Sequence, residues 1–579
     1  MPASYLVRAL PVLAFLLVQI SPAAETAPRP RTANEVAKAA LTATELDSAL
    51  LAEVKNKTEV MKNLEYLSDT IGPRLTGSKQ LERANEWTAA KMKEYGLENV
   101  KLEPWEIPIG WERGPALLTV VEPDTKVRCP MAAVGWTPGT NGKVTGEVVL
   151  LRLQSKADFE KYKGKLKNAI VIGSPPTNPS PITDTKYGPL PPPKKKDAPK
   201  KDEPKKAGEK AALESVMAEV EQPDPKKDDT KKKDDTKKED PKKDPPGARV
   251  SPLISTRELD EFLAAEGAAC RLMDAGIGSK THGLLMAIGQ WRPGDRASQA
   301  KLPVAVIPHE NFALLYRLAM RPAPAVTKVE VDIQAKFIDG PITVFNTVGE
   351  VKGSEKPDEF VVIGAHLDSW DLGTGTMDNG TGSCVVLETA RAVAALAKAG
   401  HRPKRTIRFC LFSGEEQGLH GSREYVKKHA DEMPKTSLAI VHDTGTGKVT
   451  GFATMNQPKS AAILEPELKS LESMDGWNGL DLEYLGGSDH QSFMPAGVPG
   501  FACRQDIDEY RYTHHSQTDM FDHAKGPNLV QGAQVLAVTS VRVANLPELL
   551  PRTRTVPPKK DPEPKKKDDK KDAAPKKDS

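Results

Sequence analysis

The chain has 579 residues, a formal charge of +3, an aromatic fraction of 5% and 49 prolines. That length is too great for one core and predicts about two to four domains. The near-neutral charge offers no electrostatic footprint for nucleic acid or a membrane surface, so neither is an expected partner.

Residues 1–24 read as a signal peptide. Arg8 precedes an apolar run over residues 9–20, and Ser21-Pro22-Ala23-Ala24 supplies small residues for cleavage. The run is about 12 residues, short of the roughly 20 needed to span a bilayer. The expectation is an exported protein, periplasmic or extracellular, whose mature form has no stable membrane span.

Residues 25–105 predict the helical start of a catalytic domain. Apolar residues recur at three- and four-residue spacing over 60–67 and 81–95, the second stretch closed by Gly96. A Gly/Pro-punctuated loop, 68–78, separates them. From 106 to 300 the pattern changes to short β-type runs at 116–121, 147–151 and 169–172, which predicts a mostly β domain inserted before the catalytic part. Within it, residues 188–246 are dominated by Lys, Asp, Glu and Pro. They are expected to be disordered, apart from a marginal helix over 209–221, and a matching charged tail runs over 553–579. Acids and bases nearly balance in both stretches, which suits a solvated linker and tail.

Residues 301–552 alternate strands and helices. The continuous apolar run 360–363 suits a central parallel strand. A helix over 383–398, a strand over 406–412, a helix over 421–429 and a strand over 438–441 follow. This predicts a doubly wound α/β sheet. Cys129, Cys270, Cys384, Cys410 and Cys503 are odd in number and widely spaced, which argues against a zinc ribbon or a dense disulfide scaffold and leaves one long-range disulfide open, its pairing unassigned.

Chemistry-bearing residues recur in five short motifs of this last region: His366-Leu367-Asp368-Ser369, Met377-Asp378-Asn379-Gly380, Ser413-Gly414-Glu415-Glu416, Val441-His442-Asp443 and His514-His515-Ser516. His366, Glu415/Glu416 and Asp443 each follow the carboxyl end of a predicted strand. Active crevices of open α/β sheets lie outside those ends. Two histidines and three carboxylates suit a pair of divalent cations. Nitrogen and oxygen donors without thiolate favour zinc, with cobalt and manganese as substitutes. The expected partition puts one ion on His366 and Asp443 and the other on Glu416 and a histidine of the His514-His515 pair, with Asp378 bridging. Such ions lie about 3.5–4 Å apart and bring the pKa of a shared water toward neutrality. Glu415 is the expected general base. Asp368 and Asp519 are the residues expected to orient the imidazoles of His366 and His515.

In order and content these motifs resemble the di-zinc exopeptidases that include bacterial leucyl aminopeptidases and glutamate carboxypeptidases. The likeness lies in His366-Leu-Asp-Ser-Trp-Asp-Leu-Gly, Gly375-Thr-Met-Asp-Asn-Gly, Arg402-Pro-Lys-Arg-Thr, Glu415-Glu-Gln-Gly, Ala496-Gly-Val-Pro-Gly and His514-His-Ser. It covers residues 303–552 and returns in the loop 67–78. The resemblance implies a phosphorylase/hydrolase-like doubly wound mixed sheet, two zinc ions (Zn2+), and His515 rather than His514 as ligand. It also implies a protease-associated (PA) domain for the inserted region and a cis peptide at Asp378-Asn379. The Lys/Asp/Pro insertion departs from that pattern.

An exopeptidase must recognise a chain end. Asp506, Asp508 and Glu509 are candidates for a free amine, and Arg504 and Arg511 for a carboxylate. Asp489 and His490 are expected to line the pocket, because the corresponding loop of the resembling family does. The expected function is an exported aminopeptidase or dipeptidase acting on short peptides. The alternatives are a glutaminyl-cyclase-like zinc acyltransferase and a receptor-like, non-catalytic binding protein. A homodimer stays open.

Overall fold

A computed structural model describes residues 41–177, 254–276, 283–507 and 510–552. The expected signal peptide, the charged insertion with its marginal helix, and the charged tail lie outside these residues. Among the described residues no helix is long and apolar enough to cross a membrane. All five cysteines are free and buried.

Two eight-stranded mixed sheets organise the chain. The first contains β1 (Glu98–Glu112), β10 (Lys336–Val351), β11 (Lys356–His366), β12 (Arg405–Phe412), β13 (Thr436–Val441), β14 (Val449–Ala453), β15 (Leu480–Asp481) and β16 (Gly500–Gln505). Their order is β1-β10-β12-β11-β13-β16-β14-β15. The centre is parallel, since β11 pairs in parallel with both β12 and β13, and β13 with β16. The flanks turn antiparallel through β10 and β14. The α/β class expected from the alternating elements is therefore present, as a mixed sheet.

Strand periodicity accounts for burial on both faces. In β11, Val361, Ile363 and Ala365 face a core that also holds Leu50, Val385 and Leu536. Those three come from helices Ala43–Lys57, Thr381–Lys398 and Gly526–Asn545. Val362 points the other way, to Cys410, Phe412 and Tyr425 under helix His420–Lys428. A strand apolar on both faces must be covered on both, and a parallel strand of a doubly wound sheet is. Helix Lys79–Tyr95 starts where Ser78 accepts a bond from the Leu81 N–H at 3.2 Å and ends at Gly96, whose φ of 87° suits glycine.

The second sheet contains β2 (Ala116–Glu122), β3 (Arg128–Pro130), β4 (Ala132–Ala133), β5 (Val144–Leu150), β6 (Ile170–Ile172), β7 (Cys270–Asp274), β8 (Val304–Ile307) and β9 (Lys328–Ile333). Their order is β3-β2-β9-β5-β6-β7-β8-β4, with β5 through β8 parallel. This region carries more helix than its β-type runs suggest: Thr256–Ala265 lies between β6 and β7, and His309–Ala319 follows β8. Parallel neighbours cannot be joined by hairpins and need crossovers.

The sheets also divide the chain differently from the expected limits at 106 and 300. β8 and β9 belong to the second sheet although they follow residue 300. β1 and β10 form a long antiparallel ribbon of the first sheet, from Glu98 opposite Glu350 to Glu112 opposite Lys336. Trp105 and Ile107 pack in the first core, while Ile109 and Trp111 pack in the second. Pro104 and Pro108 hide this strand from a propensity reading, since proline is confined to strand edges. Here β1 is an edge strand.

Candidate metal centre

The ends of the central strands deliver the site. His366 is the last residue of β11, and Glu415 and Glu416 follow β12 across the turn Ser413-Gly414. Asp443 stands two residues after β13, and Asp378 lies just before helix Thr381–Lys398. The peptide Asp378–Asn379 is cis, and His515 adopts a φ of 52°.

Five side chains meet there. His366 Nε2 lies 3.0 Å from Asp443 Oδ1 and 3.3 Å from Asp378 Oδ1. His515 Nε2 lies 3.0 Å from Glu416 Oε2 and 3.3 Å from Asp378 Oδ2. Each Asp378 oxygen therefore faces a different imidazole–carboxylate pair. His514 is further out, with Nε2 3.8 Å from Asp378 Oδ2 and its ring stacked on His515 at 3.8 Å between centroids.

The donor chemistry fits divalent cations. His366, Asp378 and Glu416 group closely enough to share an ion, as do Asp378, His514 and His515. Asp378 Oδ2 and Glu416 Oε1 are buried without a hydrogen-bond partner among the described residues. Burial, helped by Asp443 and Glu416 and opposed by His366, pushes the Glu415 carboxyl well above the usual range. Burial also pushes Glu416 up, with Asp378 adding to the effect. Carboxylates packed this densely are stabilised by positive charge, and a cation pair supplies it.

Of the two aspartates expected to orient imidazoles, Asp368 has Oδ1 3.7 Å from His366 Nδ1, and both also anchor backbone amides of the carboxylate-bearing segments. His366 Nδ1 is 2.9 Å from the backbone oxygen of Asp368, so the ring is held by that carbonyl. The Asp368 carboxylate accepts from Thr76 Oγ1 at 2.9 Å and from the amides of Glu415 at 3.3 Å and Glu416 at 3.4 Å. Asp519, expected beside the His515 ring, has both oxygens on amides, those of Met377 and Asp378. Short side chains reach backbone N–H groups that a spacing argument does not locate.

The residues expected to contact substrate fare differently. Asp489 and His490 are fully buried, and Asp489 lies within electrostatic reach of His366, Asp368 and Asp443. Burial raises the Asp489 carboxyl to about 7, although His366 and Ser422 oppose the shift. His490 Nε2 sits 2.8 Å from the Leu485 carbonyl oxygen and ties down its own loop. Arg504 is taken up by Asp481 and Glu483. Asp508 and Glu509 lie outside the described residues.

Two elements of the site went unassigned in the sequence reading. Arg74, fully buried, donates to the carbonyls of Leu367 at 2.7 Å, Thr374 at 2.9 Å and Gly375 at 2.6 Å, and so ties the amino-terminal loop to the segment between His366 and Asp378. The loop 67–78 had signalled its importance by resemblance alone. Tyr510 packs on His514 at 4.8 Å, and burial beside Asp378 and Asp443 raises its phenol well above the ordinary value. The segment between Val441 and the histidine pair gave no periodic signal that singled out Tyr510.

The second sheet reaches the site directly. Trp370 joins the second core, and a Cβ on Gly289 would lie 2.7 Å from its ring. The same ring stands edge-on to His515 at 6.0 Å.

Comparison with known proteins finds several likenesses. Residues 346–540 match the model of Peptidase family M28. The chain is 28% identical to carboxypeptidase Q of Rattus norvegicus over 523 residues, covering 90% of this chain and 91% of that protein. Among solved structures, a peptidase M28 precursor from Shewanella amazonensis SB2B superposes with a TM-score of 0.65 at 24% identity, over 88% of this chain and 99% of the other. A zinc aminopeptidase from Bacillus subtilis superposes with a TM-score of 0.52 at 18% identity, over 83% and 93%. At these identities the structural likenesses establish the fold. His366, Asp378, Glu416, Asp443 and His515 all fall between residues 346 and 540, the stretch that matches the Peptidase family M28 model.

Proposed function

We propose that the protein is an exported zinc-dependent exopeptidase, an aminopeptidase or dipeptidase that hydrolyses the peptide bond at a free chain end of short peptides. One observation carries this reading: the two oxygens of Asp378 face two separate imidazole–carboxylate pairs. His366 and Asp443 would hold one zinc, Glu416 and His515 the other, with Asp378 shared. When bound, such a pair polarises the scissile carbonyl and acidifies water.

The chain's own residues do the rest. Glu415 follows β12 beside the ligands, with its amide anchored on Asp368. It takes a proton from the attacking water and returns it to the departing amine nitrogen. Arg74, Thr76, Asp368 and Asp519 keep the ligand-bearing loops in register. The likeness to carboxypeptidase Q over 90% of the chain supports the exopeptidase reading, and the apolar run at residues 9–20 supports export. The second sheet is read as a PA-like domain that closes one side of the cleft.

The test is a panel of dipeptides, aminoacyl amides and amino-terminally blocked peptides incubated with zinc-loaded protein. Release of free amino acid from unblocked substrates alone is expected. Cleavage of blocked amino termini would remove the aminopeptidase assignment, and no cleavage of any member would remove the peptidase reading.

A further inference from the structure

The turn that carries Glu415 also carries polar groups that the proposed chemistry does not use. It is tightly closed: the N–H groups of Gly418 and Leu419 donate to the Glu415 carbonyl at 2.8 and 2.9 Å, and His420 donates to Gly414 at 2.9 Å. Around it, Trp105 Nε1, Trp291 Nε1, both amide atoms of Gln417 and His420 Nε2 are buried without a hydrogen-bond partner among the described residues. The His420 ring lies 6.1 Å from Trp105, stacked, and 4.5 Å from Trp291, edge-on. A Cβ on Gly414 would come within 2.7 Å of the Trp105 ring, which fixes that indole against the turn.

Native proteins rarely leave buried polar atoms unpaired, and a group of them in one place asks for a ligand. An indole N–H only donates, and an amide NH2 donates as well. Burial, with Arg423 acting in the same direction, lowers the His420 pKa, so the ring is neutral near pH 7. The set is thus rich in donors, made of uncharged groups, and flanked by two indole rings. Trp105 comes from β1, Trp291 from the chain between β7 and β8, and Gln417 and His420 from the turn of the general base.

We propose that Trp105, Trp291, Gln417 and His420 form a substrate subsite beside Glu415, which takes an oxygen acceptor of the bound peptide, either a carbonyl or the terminal carboxylate. The inference rests on the peptidase reading above and adds the residues that select the substrate. Specificity through donors left unpaired in the free site is strong, because a substrate without the acceptor leaves them unpaired in the complex as well.

The experiment compares zinc-loaded full-length protein with Trp291→Phe and Gln417→Ala, using an unblocked dipeptide and its carboxyl-terminal amide. Trp291→Phe keeps an aromatic ring but removes the donor and part of the indole surface, and Gln417→Ala tests the donors separately. The expected result is a KM about tenfold higher with kcat within about twofold of wild type, the pattern of lost ground-state binding. A rise confined to the free acid identifies the carboxylate, and a rise on both substrates identifies the carbonyl. Unchanged KM on both substrates, or a fall in kcat at constant KM, overturns the subsite. Should the wild-type protein cleave neither substrate, the peptidase reading fails separately. Dipeptide titration followed by tryptophan fluorescence then decides the subsite, and a signal that Trp291→Phe leaves intact overturns it.

Discussion

The backbone N–H of Ala287 donates to the carbonyl oxygen of His515 at 2.7 Å. A metal-ligand candidate is thereby held by the region of the second sheet. The contact extends on either side, with Met286 bridging Ser516 and the Gln517 N–H donating to the Leu285 carbonyl at 3.2 Å. His515 sits in the left-handed region, which a side-chain-bearing residue occupies only when its surroundings hold it there.

This brace makes Gln517 a positioning residue. Its Oε1 accepts from the Leu285 N–H at 3.1 Å. Gln517→Ala is expected to weaken zinc binding about tenfold, within the range for groups that orient ligands. Competition with a chelator measures it, and circular dichroism should remain that of wild type.

Arg74 presents a harsher case. Its guanidinium is fully buried and satisfies carbonyls of the segment between His366 and Asp378. Arg74→Ala strands several of them at about 1–3 kcal/mol each, so a stability loss on the order of 3–5 kcal/mol is expected in urea unfolding. Arg74→Lys should recover only part of it, because an ammonium cannot copy the planar fork.

The reach of sequence reasoning is visible in these residues. Strands β11 and β13 hold continuous apolar runs and β12 one interrupted by Arg408, and a site at their carboxyl ends follows from the way parallel sheets are built. The ribbon β1 was hidden by Pro104 and Pro108, and the fold pairs it with β10 regardless. Arg74 and Asp519 act on backbone atoms from distant loops, and no local pattern encodes such a contact. Arg504 is spoken for by Asp481 and Glu483, more than 20 positions earlier in the chain, which charge and spacing alone could not reveal.

Away from the cleft, His429 bonds to Glu103 and Glu432 at 2.9 and 2.8 Å. Burial alone would lower its pKa, but these two carboxylates outweigh burial and raise it. A raised histidine stabilises fully below its unfolded value of about 6.5, and the contribution fades as pH rises through the folded value. Glu432 has the opposite sign. Burial raises its pKa, but His429 and Arg408 bring it down to about 2, so its contribution is present above its ordinary 4.5 and fades as pH falls toward 2. The difference in Tm between wild type and His429→Gln should therefore be largest near pH 5–6 and shrink toward pH 9. Thermal scans across that range test the sign.

Glu415→Gln keeps the shape of the side chain and removes the proposed general base. Turnover of any cleaved dipeptide should fall by about 10²–10⁴-fold, with zinc content unchanged. Loss of zinc in this variant would make Glu415 a ligand.

The central claim is that Asp378 is shared between two cations. It is tested most directly by zinc bound per chain, measured by mass spectrometry after dialysis, in wild type and Asp378→Ala. The account predicts about two zinc ions in wild type and fewer than one in the variant, since each site loses a shared ligand. Two ions retained by Asp378→Ala, or none bound by wild type, would contradict it.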